Sequence, residues 1–206
     1  MKAEELELLK RYFPEASVGM VGDIFIQRRF KLHFKRPRTS KLGDFRPPRT
    51  PNGICSITLN LDVNPYQMLI TYVHEVAHYD VYQHYGSRMV QPHGQEWQTS
   101  FSTLLQPFLT EAIFPKDVLA ALQKHLKHIK ASSTADQNLK RVLHKSDKNQ
   151  ATANTLESLP NGSRFTLKNG LVFQKGEKQR TRYKCYCETN GRWYFVAALA
   201  EVQLLQ

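Results

Sequence analysis

The chain has 206 residues, 41% of them hydrophobic, and is strongly basic, with 29 Lys and Arg against 18 Asp and Glu for a formal net charge of +11. This length allows one domain or two small ones, and the apolar content suffices for a core. Three cysteines argue against a disulfide framework, the acidic amphipathic N-terminus is no signal peptide, and no apolar stretch approaches the ~20 residues that span a bilayer. The expectation is a soluble, cytoplasmic protein with no membrane partner.

Residues 3–13 read as a first helix, with Leu6, Leu9 and Tyr12 or Phe13 on one side. Residues 24–34 alternate and are rich in Phe, Ile and basic groups, and Ile54 to Leu61 alternates again, so both read as strands. Asn64-Pro65 then marks a helix start, with Asn as cap and Pro at the first helical position, and Gly86-Ser87 marks its stop. This helix carries His74-Glu75-Val76-Ala77-His78. Positions four apart project from nearly the same face, so two imidazoles converge on one metal ion while Glu75 reaches a water on that metal.

A catalytic zinc usually takes three protein ligands, and three residues compete for the last place. His84 lies six residues after His78. On a continuing helix it points roughly 80° away from His74. The β-branched Val81 opposes the turn that would bring it back. His93 opens a second amphipathic run after a short loop and can face the first helix. Glu96, one turn further on, is the carboxylate alternative. The order of preference is His93, Glu96, His84.

Helices are expected at about 93–108 and 116–130. Residues 131–160 are polar and read as a linker with helical character around Leu139 to Leu143. From residue 161 onward, Asn161-Gly162, Asn169-Gly170 and Asn190-Gly191 separate short runs at 164–167, 171–173, 182–187 and 193–196. This pattern predicts a small antiparallel β module, barrel-like if it closes. Cys185 and Cys187 share one face of a strand, and with Cys55 they are too few for a four-thiolate site, so packing is the expected role.

The first 130 residues hold 17 basic and 12 acidic side chains and the remainder 12 and 6, so both parts are positive. Two clusters stand out, Arg28 to Arg38 with Arg28, Arg29 and Lys31, and Lys175 to Lys184 with Lys178, Arg180 and Arg182. Cations interleaved with Phe30, Phe34 and Tyr183 suit a nucleic-acid surface, since the charges track phosphates and rings stack on unpaired bases. DNA is therefore an expected partner, single strands favoured. A solvated basic strand with its aromatics turned inward predicts the same alternation.

The run Leu69 to His78 followed by His93-Gly94-Gln95-Glu96-Trp97 resembles the SprT-like metalloprotease domain, over roughly residues 1–130. Lys35 to Phe45 and Ile57 to Asn60 also resemble the strands that precede the active helix in that family. The resemblance implies zinc on His74, His78 and His93, one ion per chain, with Glu75 as the catalytic base and a protein substrate. It also implies action on DNA-bound proteins. Many family members carry a C-terminal zinc ribbon, whose cysteine pairs are missing here.

The expected architecture is α+β: a compact, zincin-like metalloprotease domain over 1–130, a polar linker over 131–160 and a β-rich module over 161–206. The expected activity is peptide hydrolysis, in which zinc lowers the pKa of water and Glu75 takes the proton and passes it to the leaving amine. Tyr72, Tyr79, Tyr82 and Tyr85 are candidates to stabilise the oxyanion, and Asp80 reads first as an exposed helix carboxylate and second as a group that orients an imidazole. A nucleic-acid-binding or regulatory protein with a structural zinc site is the alternative. The oligomeric state is left open.

Overall fold

A helix of 21 residues, α3 (Pro65–Tyr85), is the element around which the first unit is built. Its start is set locally: Asn64 Oδ1 accepts the Gln67 N–H at 2.9 Å, and Pro65 occupies the first turn, where no N–H is required. Gly86, at φ 65°, ends it. Between Gln67 and Ala77 nearly every side chain is buried, so α3 is a central helix covered on all sides rather than an amphipathic surface helix.

The computed structural model describes residues 3–36, 38, 41–50, 52–86, 90–127, 129, 136–147 and 154–205. Among them the chain is mixed α+β, with six α-helices and two sheets. It divides into two units, Met1–Ser146 and Asp147–Gln206.

In the first unit, α1 (Ala3–Tyr12) and α2 (Val18–Arg28) precede a three-stranded sheet of β1 (Lys31–Lys35), β2 (Gly43–Arg46) and β3 (Ser56–Asn60). The order is β1-β3-β2, with β1 parallel and β2 antiparallel to the central β3. Leu32 pairs with Ile57, and Phe45 pairs with Ile57 from the other side. α4 (Gln95–Leu105) and α5 (Lys116–Leu126) complete the wall around α3, with Trp97, Phe101, Leu105, Val118 and Leu122 buried in one core with Leu69, Tyr72 and Val76. No helix among the described residues is long and apolar enough to cross a membrane.

Two expectations are corrected here. Residues 24–34 are not one strand. The helix α2 runs to Arg28, burying Val18, Val21 and Gly22 at helical spacing, and Arg29 at φ 53° ends it before β1. Apolar alternation in that stretch belongs to the join between a helix and a strand. The polar stretch after Ala131 is not all linker either. α6 (Gln137–Lys145) is capped by Asp136, whose carboxylate accepts from Asn138 and Leu139, and it buries Leu139 and Leu143 in the first core. Two leucines four apart suffice to dock a short helix, although the surrounding composition is polar. Asn64 Nδ2 donates to the Leu143 carbonyl at 2.8 Å and ties α6 to the start of α3. Residues 131–135 and 148–153 of the expected linker lie outside the described residues, as do Ser87 and the end of the expected 116–130 helix at Lys130.

The second unit is an antiparallel six-stranded sheet. Its strands are β4 (Asn154–Thr155), β5 (Arg164–Thr166), β6 (Val172–Gln179), β7 (Arg182–Cys187), β8 (Arg192–Ala197) and β9 (Glu201–Leu204), in the order β4-β9-β5-β6-β7-β8. Gly170 and Gly191, both at positive φ, turn the chain at the Asn-Gly positions read from the sequence. The core holds Leu156, Phe165, Phe173, Cys185, Cys187 and Val202, so both cysteines face inward as packing groups. Lys175 is buried among them. Its ammonium donates to the Leu159 carbonyl and lies 4.0 Å from the Tyr183 ring centroid.

Candidate metal centre

The middle of α3 presents His74 and His78 one turn apart, and His93, just before α4, meets them. The three Nε2 atoms lie 3.2 Å (His74–His78), 3.1 Å (His78–His93) and 3.2 Å (His74–His93) from one another. All three converge on one point, so at most a poorly directed shared proton could satisfy any pair. A cation at that point satisfies all three lone pairs, and these histidines can hold a metal ion. His93 adopts φ 62°, a left-handed conformation uncommon for a side chain with a Cβ. Its carbonyl accepts from Gln98 Nε2 at 3.0 Å, which helps hold that conformation. The strained backbone at this position is a feature that functional sites retain.

Trp97 forms the floor. Its ring centroid is 4.7 Å from those of His74 and His93 and 5.5 Å from that of His78, and it stacks on Phe101 at 5.0 Å. Its indole N–H donates to the His74 carbonyl at 3.3 Å. The apolar wall has an electrostatic consequence. Burial first, then the neighbouring imidazoles His78 and His93, push His74 down to about 3, and burial followed by His93 pushes His78 down to about 4. Burial lowers His93 as well. All three are held neutral, the form that binds a metal.

Glu75 is 6% exposed. Burial pushes its carboxyl up to about 8, partly offset by a hydrogen bond from the Phe45 backbone. The strand β2 lies directly on it: a Cβ added at Gly43 would come within 2.5 Å of Glu75 Oε1 and 2.7 Å of Thr71 Cγ2. Glycine at 43 is what lets the sheet edge approach the carboxylate. Neither Gly43 nor Trp97 drew a role from the sequence, because neither contact is local.

The other candidates lie elsewhere. His84 sits exposed near the end of α3 against Tyr85, and Glu96 is exposed on the first turn of α4, outside the histidine cluster. The hydroxyls of Tyr72 and Tyr79 already donate to the carbonyls of Val21 and Arg28, and Tyr82 packs on Phe45. Asp80 orients no imidazole, since it binds Arg28 through two hydrogen bonds of 2.7 and 2.8 Å. Arg28 is thereby committed to an internal ion pair and corrected as a phosphate contact, while Arg29 and Lys31 remain exposed. Phe30 is buried, Phe34 stacks on Tyr12 and Tyr183 is buried, so the rings expected to stack on bases belong to the two cores. Lys178, Arg180 and Arg182 are exposed around the β6–β7 turn, where Arg180 has φ 53°.

Compared with protein-family models, curated proteins and solved structures, the chain matches none.

These ionisation states predict how the metal-free protein responds to pH. The histidines are depressed in the folded state, so their stabilising contribution is present above about 6.5 and is lost as pH falls through the range toward 4. Glu75 is raised, so it opposes folding increasingly as pH climbs from about 4.5 to 8. Glu75→Gln should therefore stabilise the metal-free chain by about 1–3 kcal/mol above pH 8, with a smaller margin at pH 5.5. Guanidinium midpoints in the presence of a chelator read this directly. A margin that shrinks as pH rises would contradict the assignment.

Proposed function

We propose that this chain is a zinc-dependent peptidase, carried by one observation: the imidazole nitrogens of His74 and His78 on α3 and of His93 before α4 converge, and the residue next to His74 on α3 is the buried Glu75. Zinc fits the donor set. A tetrahedral ion with Zn–N bonds of about 2.0–2.1 Å separates its ligand nitrogens by about 3.3–3.4 Å, close to the 3.1–3.2 Å found here. An all-imidazole set also suits zinc better than magnesium or calcium, which prefer oxygen. Three protein ligands leave a fourth position open, the arrangement of catalytic rather than structural zinc.

When bound, the ion would lower the pKa of water toward about 7 and polarise a peptide carbonyl. The remaining roles fall to the chain itself. Glu75 takes the proton of the attacking water and returns it to the departing amine. A cation among the three imidazoles favours the ionised carboxylate, which is the form a base requires. Gly43 and the Phe45 N–H hold that carboxylate in place from β2, and Trp97 and Phe101 keep the far side of the imidazoles dry. The resemblance of the two motifs to SprT-like proteases supports the same reading and points to protein held on DNA as the substrate class.

Removal of metal tests the proposal. Dialysis against a strong chelator should abolish hydrolysis of an unfolded protein substrate, and one equivalent of zinc should restore it while magnesium does not. Hydrolysis that persists after metal is shown to be gone would refute a metallopeptidase.

A further inference from the structure

The second unit carries an exposed surface that the metal site does not use. Cross-strand partners share a sheet face, so the pairs Lys184–Phe195 and Tyr186–Trp193 and the side chain of Arg182 form one continuous outer face of β7 and β8. The intervening residues Tyr183, Cys185 and Cys187 face the core. Trp193 is 58% and Phe195 53% exposed, which is unusual for two large rings side by side on an edge strand.

The rings sit among cations. Lys184 Nζ lies 4.7 Å from the Trp193 centroid, and the Tyr186 and Trp193 centroids are 5.3 Å apart. Gly176 on β6 lets the strands approach here, since an added Cβ would strike the Lys184 carbonyl and come to 3.9 Å from Trp193 Cζ3. Of the nearby acids, Glu188 is held by Arg164 and Glu177 lies at the β6 irregularity opposite Lys184, whereas Arg182 and Lys184 have no ion pair among the described residues. Residues two apart on a strand are about 7 Å apart, room for one base on each of Trp193 and Phe195.

We propose that the outer face of β7 and β8 binds single-stranded nucleic acid, with Trp193 and Phe195 stacking on unpaired bases and Arg182 and Lys184 contacting phosphates. Arg182 and Lys184 beside two exposed rings supply both the charge and the stacking groups that an unpaired strand needs. Stacking accepts any base, so the surface reads little sequence. A duplex offers no free base faces and should bind more weakly. Binding here is independent of the peptidase proposal and of the metal.

The test uses the full chain, in chelator and again with zinc, and fluorescence anisotropy of labelled 12-nucleotide deoxythymidine and uridine strands, a blunt duplex and a heparin fragment. Either single strand should bind in about 50 mM salt and weaken steeply as salt rises. Trp193→Ala should weaken binding by about tenfold or more, and the pair Arg182→Glu with Lys184→Glu should weaken it further and flatten the salt dependence. Trp193→Phe should keep the affinity but lose the quenching of the exposed indole's emission, a signal that the buried Trp97 does not supply. Unchanged far-ultraviolet circular dichroism ties each loss to the surface. No binding of either single strand, equal affinity for duplex or heparin, or full affinity in Trp193→Ala would overturn the proposal.

Discussion

Glu75→Gln is expected to retain its metal and to lose proteolysis by at least ~10²-fold, the scale of a removed general base. The substitution keeps the length of the side chain and its carbonyl oxygen, so it can still accept the Phe45 N–H that approaches Glu75. What it loses is the capacity to take a proton. The comparison is sharpened by stability, because removing a buried ionisable carboxyl should make the metal-free protein firmer while the activity falls. Opposite movements of stability and activity would mark a polar group that serves chemistry and not packing. Metal content by atomic absorption and turnover of an unfolded substrate read the two effects separately. Full turnover in Glu75→Gln would leave the three histidines as a structural site and remove the proposed mechanism.

His93→Ala should cost most of the metal affinity, by several orders of magnitude, whereas His84→Ala should leave about one ion per chain. The distinction rests on geometry: the His93 nitrogen lies 3.1 and 3.2 Å from those of His78 and His74, and His84 lies outside the cluster. Loss of His93 leaves two imidazoles on one helix turn, a bidentate site of modest affinity. The same substitution does not relieve the positive φ at position 93, since alanine adopts that region less readily than histidine does. Titration with a competing chelator measures the difference. Equal losses in both variants, or a loss confined to His84→Ala, would reverse the assignment of the third ligand.

Helical spacing explains why part of this site is readable in one dimension. His74 and His78 must share a face on any helix, and Asn64-Pro65 with Gly86 bounds that helix by local backbone chemistry alone. The Asn-Gly turns of the second unit are legible for the same reason, since each is a choice made by adjacent residues. The reading failed where a short element earns its place only by docking. Residues 18–28 become a helix because Val21 finds a core to enter, which composition does not record, whereas the helical character read around Leu139 to Leu143 is realised as α6, docked by those two leucines.

The sequence by itself determined that His74 and His78 share a helix face with Glu75 beside the first of them, and that Tyr183 is interleaved with cations along β7. Only the tertiary structure decided the rest. Tertiary folding brings His93 to the pair, and packing sets Trp97 beneath it and Gly43 against Glu75, contacts between residues 15 to 32 positions apart. It also settled which aromatics face water. Alternation divides a strand into two faces without saying which one is covered, and burial of Phe30 and Tyr183 with exposure of Trp193 and Phe195 follows from where each core lies.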